Sequence, residues 1–179
     1  MSVVVLDAGM SIDGFWADAD GKSVFPVAEM HDAGLIAPLV FRTGAVVMSR
    51  ASFNMADDPD WYADNYEYQV PVFVFGSAPP SNPPCENGRI SFDFVPTFEA
   101  AVEAACKACG DRDVMIIGEA SAAQAAMASG AVDEIYLRLV PRFLGKGTPL
   151  FDTPALHHDF RRASVTMTEE ATHIHLIAL

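Results

Sequence analysis

DVMIIGEASAAQAAMASGAVDEI, residues 113–135, is the stretch whose reading decides how this chain is built. Val114 to Ile117 form an apolar run of strand length, bounded by Gly118. Glu119-Ala120-Ser121 follows, and small residues continue to Gly130. The pattern predicts a buried strand ending at Gly118, then a helix that starts at Ser121 and stops at Gly130. A helix made of alanine buries little area, so something must favour small side chains there. Two explanations compete. The first turn of a helix carries unpaired N–H groups and the positive end of the dipole, and Gly118, Ala120, Ser121 and Ala122 would let a pyrophosphate come close. Tight helix–sheet packing asks for the same residues. Spacing alone does not separate the two. Neither GxGxxG nor GxxxxGK[ST] occurs, so the common dinucleotide and P-loop fingerprints are absent.

Working outward, VVVLDA (3–8) reads as a strand, and MSIDGFWA (10–17) as a turn-rich segment around Asp13-Gly14. AEMHDAGLIAPLVF (28–41) reads as a helix made imperfect by Pro38. AVVMS (45–49) and PVFVFG (71–76) are continuous apolar runs, the mark of strands covered on both faces. Residues 54–69 suit a surface helix or an irregular loop, and 77–88, with four prolines, a loop. ISFDF (90–94) alternates as a strand does. Thr97 can cap a helix over 98–109, with Glu99 favourable in its first turn and Gly110 ending it. EIYLRLVPRFLG (134–145) predicts a strand broken near Pro141, and two antiparallel strands are expected near 163–169 and 173–179. Strands alternate with helices first and adjacent strands close the chain. The expected class is α/β: a mixed, mostly parallel central sheet, helices on both faces and an antiparallel C-terminal edge. One domain over 1–179 is expected; the alternative is a split at the proline loop.

Composition narrows the function. Twenty-four acidic residues against 11 basic give a net charge of −13, which disfavours nucleic acid and anionic membrane surfaces. A few local donors can still bind a small anion on an acidic protein. No apolar run reaches the ~20 residues of a membrane span, and MSVVVLDAGM lacks the basic start of a signal peptide, so a cytoplasmic protein is expected. Cys85, Cys106 and Cys109 are an odd set that suits reduced thiols. Cys106 and Cys109 have redox-motif spacing but fall late in a helix, away from the end that stabilises a thiolate. His173 and His175 would share a strand face. With His157 and His158 they raise a metal site, but the spacing is not that of a ligand set, and solvated or dimer-facing histidines on an edge strand are expected instead. Trp16, Trp61, Tyr62, Tyr66 and Tyr68 could wall an aromatic ligand, with packing as the ordinary use of such residues; Trp16, close to Asp13-Gly14, is the candidate ligand wall. Asp57 to Asp60 reads as a solvated loop.

The order MSIDGFWA, AVVMSRASF, PVFVFGS and DVMIIGEASAAQAAMASGAVDEIYLRLVPRFLGKGTPLF resembles the dihydrofolate-reductase-like superfamily, and within it the branch of the riboflavin-biosynthesis reductase domain. The resemblance runs along almost the whole chain and is most specific over 113–151. It implies a three-layer fold and an enzyme that transfers hydride from NADPH, or NADH, to a small pteridine- or pyrimidine-like heterocycle. It implies cofactor contacts at Arg50, Ser52, Gly76, Ser77, Gly118, Glu119, Ala120, Ser121 and Ala122. It places Ser11, Asp13 and Gly14 by the nicotinamide and substrate, with Asp13 as the catalytic candidate, and Trp16, which follows that turn, stays the substrate-wall candidate. A homodimer is also implied, since an open sheet edge invites association. Departures are visible. Glu119 stands where the family has a second glycine, Ser49 replaces another, and Ile117 stands where an acid is usual. Glu119 is therefore expected to weaken cofactor binding or to point outward. Two other functions stay open: a binding protein of this fold that has lost hydride transfer, and a dihydrofolate reductase with Glu29 or Asp32 as its acid.

Overall fold

The computed structural model describes residues 2–26, 29, 33–76, 79–152 and 158–179. In chain order the elements are β1 (Val4–Ser11), β2 (Phe15–Ala17), α1 (Ala33–Arg42), β3 (Thr43–Ser49), α2 (Arg50–Phe53), α3 (Trp61–Asn65), β4 (Pro71–Phe75), β5 (Ser91–Val95), α4 (Phe98–Ala108), β6 (Asp113–Gly118), α5 (Ala120–Ser129), β7 (Glu134–Val140), β8 (Thr148–Pro149), β9 (Phe160–Met167) and β10 (Thr172–Ala178). Thr97 caps α4 as expected, its hydroxyl accepting from the Ala100 amide at 3.2 Å. Pro38 sits inside α1 rather than ending it. The helix expected from residue 28 is described only from Ala33, and Asp32 and His157 fall outside the described residues. Residues 54–69 hold only the short α3.

Eight strands form one sheet in the order β5-β4-β3-β6-β1-β7-β10-β9, and β2 pairs with β8 in a separate two-stranded piece. β5 through β7 pair in parallel, and β10 runs antiparallel to both β7 and β9. β4 and β5, on either side of the proline loop, are neighbours in this sheet. The apolar strands alternate between two cores. Leu6, Ala8, Val47, Ile116 and Leu137 face α4 and α5, while Val5, Val46, Met48, Val72 and Met115 face Leu39 of α1, Phe53 of α2 and Tyr62 of α3. Tyr62, Tyr66 and Tyr68 belong to that second core, and Trp61 is exposed, so packing explains these aromatics.

The connections position the site. After β1 and β2 the chain passes through α1 on one face of the sheet, and β6 is later inserted between β3 and β1. From β6 it leaves through α5 on the other face. Neighbouring strands β1 and β6 thus have their next helices on opposite faces, and the carboxyl ends of such strands are where an open α/β sheet forms its ligand crevice.

The histidines correct an expectation. β9, not β10, is the edge, and His173 and His175 are drawn inward to carboxylates rather than solvated. His175 Nε2 lies 2.9 Å from Glu134, and its ring stacks on Tyr136 at 4.2 Å. His173 Nε2 lies 2.9 Å from Glu29 Oε2, with angles outside hydrogen-bond geometry. His158 is exposed.

Candidate active site

At the carboxyl end of β3, Ser49 is the N-cap of α2, its Oγ accepting from the Ser52 amide at 3.0 Å. At the carboxyl end of β6, the N-cap of α5 is Glu119 rather than the expected start at Ser121. Its carboxylate folds back over the first turn, Oε1 accepting from Ser121 N and Oε2 from Ser121 Oγ, both at 2.7 Å. Ser49 Oγ donates to the same Oε2 at 2.5 Å, bridging β3–α2 to β6–α5. Glu119 is 9% exposed. Its side chain therefore does not point outward; it caps the helix.

Gly118 has a cause of its own. A Cβ there would lie 2.7 Å from Ala8 Cβ and 2.8 Å from Asp7 O, because Gly118 pairs with Ala8 across β1. Ala120, Ala122, Ala123 and Ala126 are buried, the last three within the core between α5 and the sheet. Packing accounts for the small residues that open the sequence question.

Arg50 follows Ser49 and stands over two rings, its guanidinium carbon 5.4 Å from the Phe53 centroid and 5.1 Å from Phe94. Its Nη1 is buried without a hydrogen-bond partner among the described residues. Gly76, with φ of +122°, passes beside it; a Cβ there would meet Arg50 Cβ at 3.4 Å. The structure thus brings Arg50, Ser52, Gly76, Gly118, Glu119, Ala120 and Ser121 to one end of the sheet, while Ala122 is buried in the core beneath α5. Ser77 lies outside the described residues.

The β1 end forms a second group. Ser11 stands three residues past Ala8, the partner of Gly118, or ~10 Å further along the strand. Its Oγ donates to Asp13 Oδ1 at 2.6 Å and accepts from Phe15 N at 3.0 Å. Asp13 also accepts from Leu144 N and, at 2.7 Å, from Gly145 N. Desolvation works to raise its pKa, yet these bonds outweigh it and hold the carboxyl below its ordinary value. Asp13 is thus an ionised acceptor that fastens the segment after β7 to the β1–β2 turn. Gly14, at φ +89°, closes that turn, and its carbonyl accepts from Leu150 N at 2.9 Å. Trp16 packs against the α4/α5 core, and its carbonyl accepts from Val24 N.

Sequence reasoning missed a buried pair. Asp7 and Arg138, 6% and 3% exposed, form an ion pair between neighbouring strands, and the guanidinium lies 4.7 Å from the Phe25 ring. A charged residue within each of VVVLDA and EIYLRLV was the available signal.

A dinucleotide fits this end in part. Arg50 offers an orphaned buried nitrogen to an anion. The start of α5 does not, because its donors already hold a carboxylate.

A family model described as the RibD C-terminal domain matches residues 2–174. No curated protein matches by sequence. Among solved structures, the chain resembles a Shewanella sp. PV-4 protein whose name assigns it to riboflavin biosynthesis (TM-score 0.74, 19% identity, 99% of each chain covered). It also resembles the Thermotoga maritima diaminohydroxyphosphoribosylaminopyrimidine deaminase/5-amino-6-(5-phosphoribosylamino)uracil reductase (TM-score 0.73, 11% identity), covering 99% of this chain but 57% of that one. A pyrimidine reductase-like protein of Corynebacterium diphtheriae gives a TM-score of 0.67 at 15% identity, with 99% and 92% covered. These likenesses show the fold, the three-layer α/β arrangement expected from the sequence.

Proposed function

The chain belongs to the RibD C-terminal domain family, and on that premise we propose that it is an oxidoreductase that reduces a small pyrimidine-like heterocycle, of the 5-amino-6-(5-phosphoribosylamino)uracil type, with a nicotinamide cofactor. The observation that carries this reading is the family match over residues 2–174. The topology at the ends of β1, β3 and β6 supports it, since such ends are where open α/β sheets take their ligands. NADPH is the proposed donor, with NADH as the alternative.

When bound, the nicotinamide supplies the hydride, and the chain's own residues supply placement. Arg50 offers its unpartnered nitrogen to a cofactor phosphate, with Gly76 leaving room beside its stem. Ser11 and Asp13 hold the 144–145 backbone against the β1 end, shaping the substrate side. Asp13 acts there as a positioning residue, because its ionised carboxylate has no proton to give. Trp16 closes the core behind that turn.

The proposal extends to a homodimer in the cytoplasm. β9 is an edge strand, seven of its eight residues are exposed, and Val165 and Met167 are 48% and 79% exposed, a surface suited to a second copy. Cys85, Cys106 and Cys109 are free thiols, which suits a reducing compartment. No described helix is long and apolar enough to cross a membrane.

A second reading, a binding protein without hydride transfer, is favoured by the carboxylate on the first turn of α5. Fluorescence titration with NADPH and NADH, followed by loss of reduced-nicotinamide absorbance on adding the aminouracil substrate, separates the two. Saturable binding with turnover supports the reductase. Binding without turnover supports the second reading, and no binding of either cofactor at millimolar concentration ends the reductase proposal. Light scattering that gives the mass of one chain at micromolar concentration ends the dimer.

A further inference from the structure

We propose that Glu119 is a resident anion, whose carboxylate takes the place that the first turn of α5 would otherwise give to a phosphate, and so sets which ligands this crevice accepts. As applied to the cofactor this rests on the reductase reading; as applied to the turn it rests on geometry alone.

α5 runs ten residues, long enough for its unpaired amides and dipole to favour negative charge at its start. Glu119 does not lean past this place. It fills it, 9% exposed, with Ser121 N, Ser121 Oγ and Ser49 Oγ all donating to it. An ionised carboxylate only accepts, so three donors and no acceptor is a complementary set. The Ser49 hydroxyl has one proton, and it goes to Glu119 while the oxygen accepts from Ser52 N. The same three donors would serve a phosphoryl oxygen equally well. A second anion could reach them only by displacing the first or by lying against it, and like charges at such range repel.

Two consequences follow. A dinucleotide in this crevice keeps its pyrophosphate off α5 and relies on Arg50, whose buried Nη1 has no hydrogen-bond partner among the described residues. Removing the Glu119 charge should create an anion site from residues already in place. Glu119→Gly frees all three donors. Glu119→Gln keeps a cap, since its amide oxygen still accepts from Ser121 N while both hydroxyls turn to suit the amide nitrogen.

The test is calorimetric titration with inorganic pyrophosphate at low and moderate salt, on the full chain, with circular dichroism to confirm folding. Glu119→Gly should bind at least tenfold more tightly than the natural chain, with salt weakening the gain, and adding Ser121→Ala should abolish most of it. If Glu119→Gly does not fold, Glu119→Ala, which also vacates the three donors, decides, with the same gain expected. Folded variants that bind pyrophosphate no better than the natural chain overturn the proposal. The same titrations with NADPH are read separately. A tighter complex in Glu119→Gln extends the proposal to the cofactor, and equal affinity refutes that extension. Failure of every form to bind NADPH counts against the reductase reading, while pyrophosphate still judges Glu119.

Discussion

Replacing Arg138 with Met should be among the most damaging single changes in this chain. Asp7 and Arg138 are 6% and 3% exposed, and burial pushes the Arg138 pKa down to about 10. That is still far above neutrality, so the guanidinium keeps its charge at neutral pH beside the Asp7 carboxylate. The Met side chain can fill much of the space beside Phe25, so the loss is chiefly electrostatic. Asp7 would remain as a buried carboxylate without its partner, a situation that costs about 3–5 kcal/mol. A domain of this size has a total stability of about 5–15 kcal/mol, so the loss is roughly a fifth of it or more. The melting temperature should fall by roughly 6–20 °C at about 2–4 °C per kcal/mol. Removing both charges with Asp7→Val and Arg138→Met should restore most of the loss, because two apolar side chains can replace a buried pair at little cost. Urea unfolding of the natural chain, the single variant and the double variant measures all of this. A single-variant loss under about 1 kcal/mol, or a double variant no better than the single, would refute the reasoning.

Gly118→Ala tests the packing account of the turn: overpacking against Ala8 and Asp7 O should cost about 1–3 kcal/mol by thermal melting, and Ala8→Gly should recover part of it. An unchanged melting temperature would leave that glycine unexplained. Glu134 is raised by desolvation, but Arg42 and His175 outweigh this and hold its pKa below the ordinary 4.5. The unfolded state then binds more protons, so the stability this group contributes is present above its unfolded pKa and lost as pH falls through the folded one. Glu134→Gln should flatten the acid limb of a stability-versus-pH curve, and an unaltered limb would exclude Glu134 as its source. Arg50→Met should raise the NADPH dissociation constant about tenfold, equivalent to about 1.4 kcal/mol, with a smaller salt dependence; an unchanged constant in a fluorescence titration would remove Arg50 from the cofactor site.

Much of the architecture was written locally. The apolar runs at 45–49, 71–76 and 114–118 mark buried strands because each must cover two faces, and they lie in β3, β4 and β6. Thr97 and Gly130 bound their helices through bonds that span only a few residues. The antiparallel pair expected near 163–169 and 173–179 lies within three residues of β9 and β10 at each end. The grouping of Arg50, Gly76 and 118–122 came from the family resemblance, and the structure brings those residues, Ala122 apart, to one end of the sheet. What local pattern could not supply was anything settled by distant partners. The place of β6 between β3 and β1 depends on pairing across some seventy residues, since Val46 lies opposite Met115. β2 and β8 are too short for any periodicity to mark. Asp7 finds Arg138 131 positions away, and Glu119 finds Ser49 70 positions away. From the sequence, Glu119 was a charge beside a glycine turn, free to face outward or to crowd a ligand. Only the meeting of β3 with β6 put a hydroxyl within reach and turned that carboxylate into the cap of its own helix, because a side chain's direction is decided by the donors that surround it.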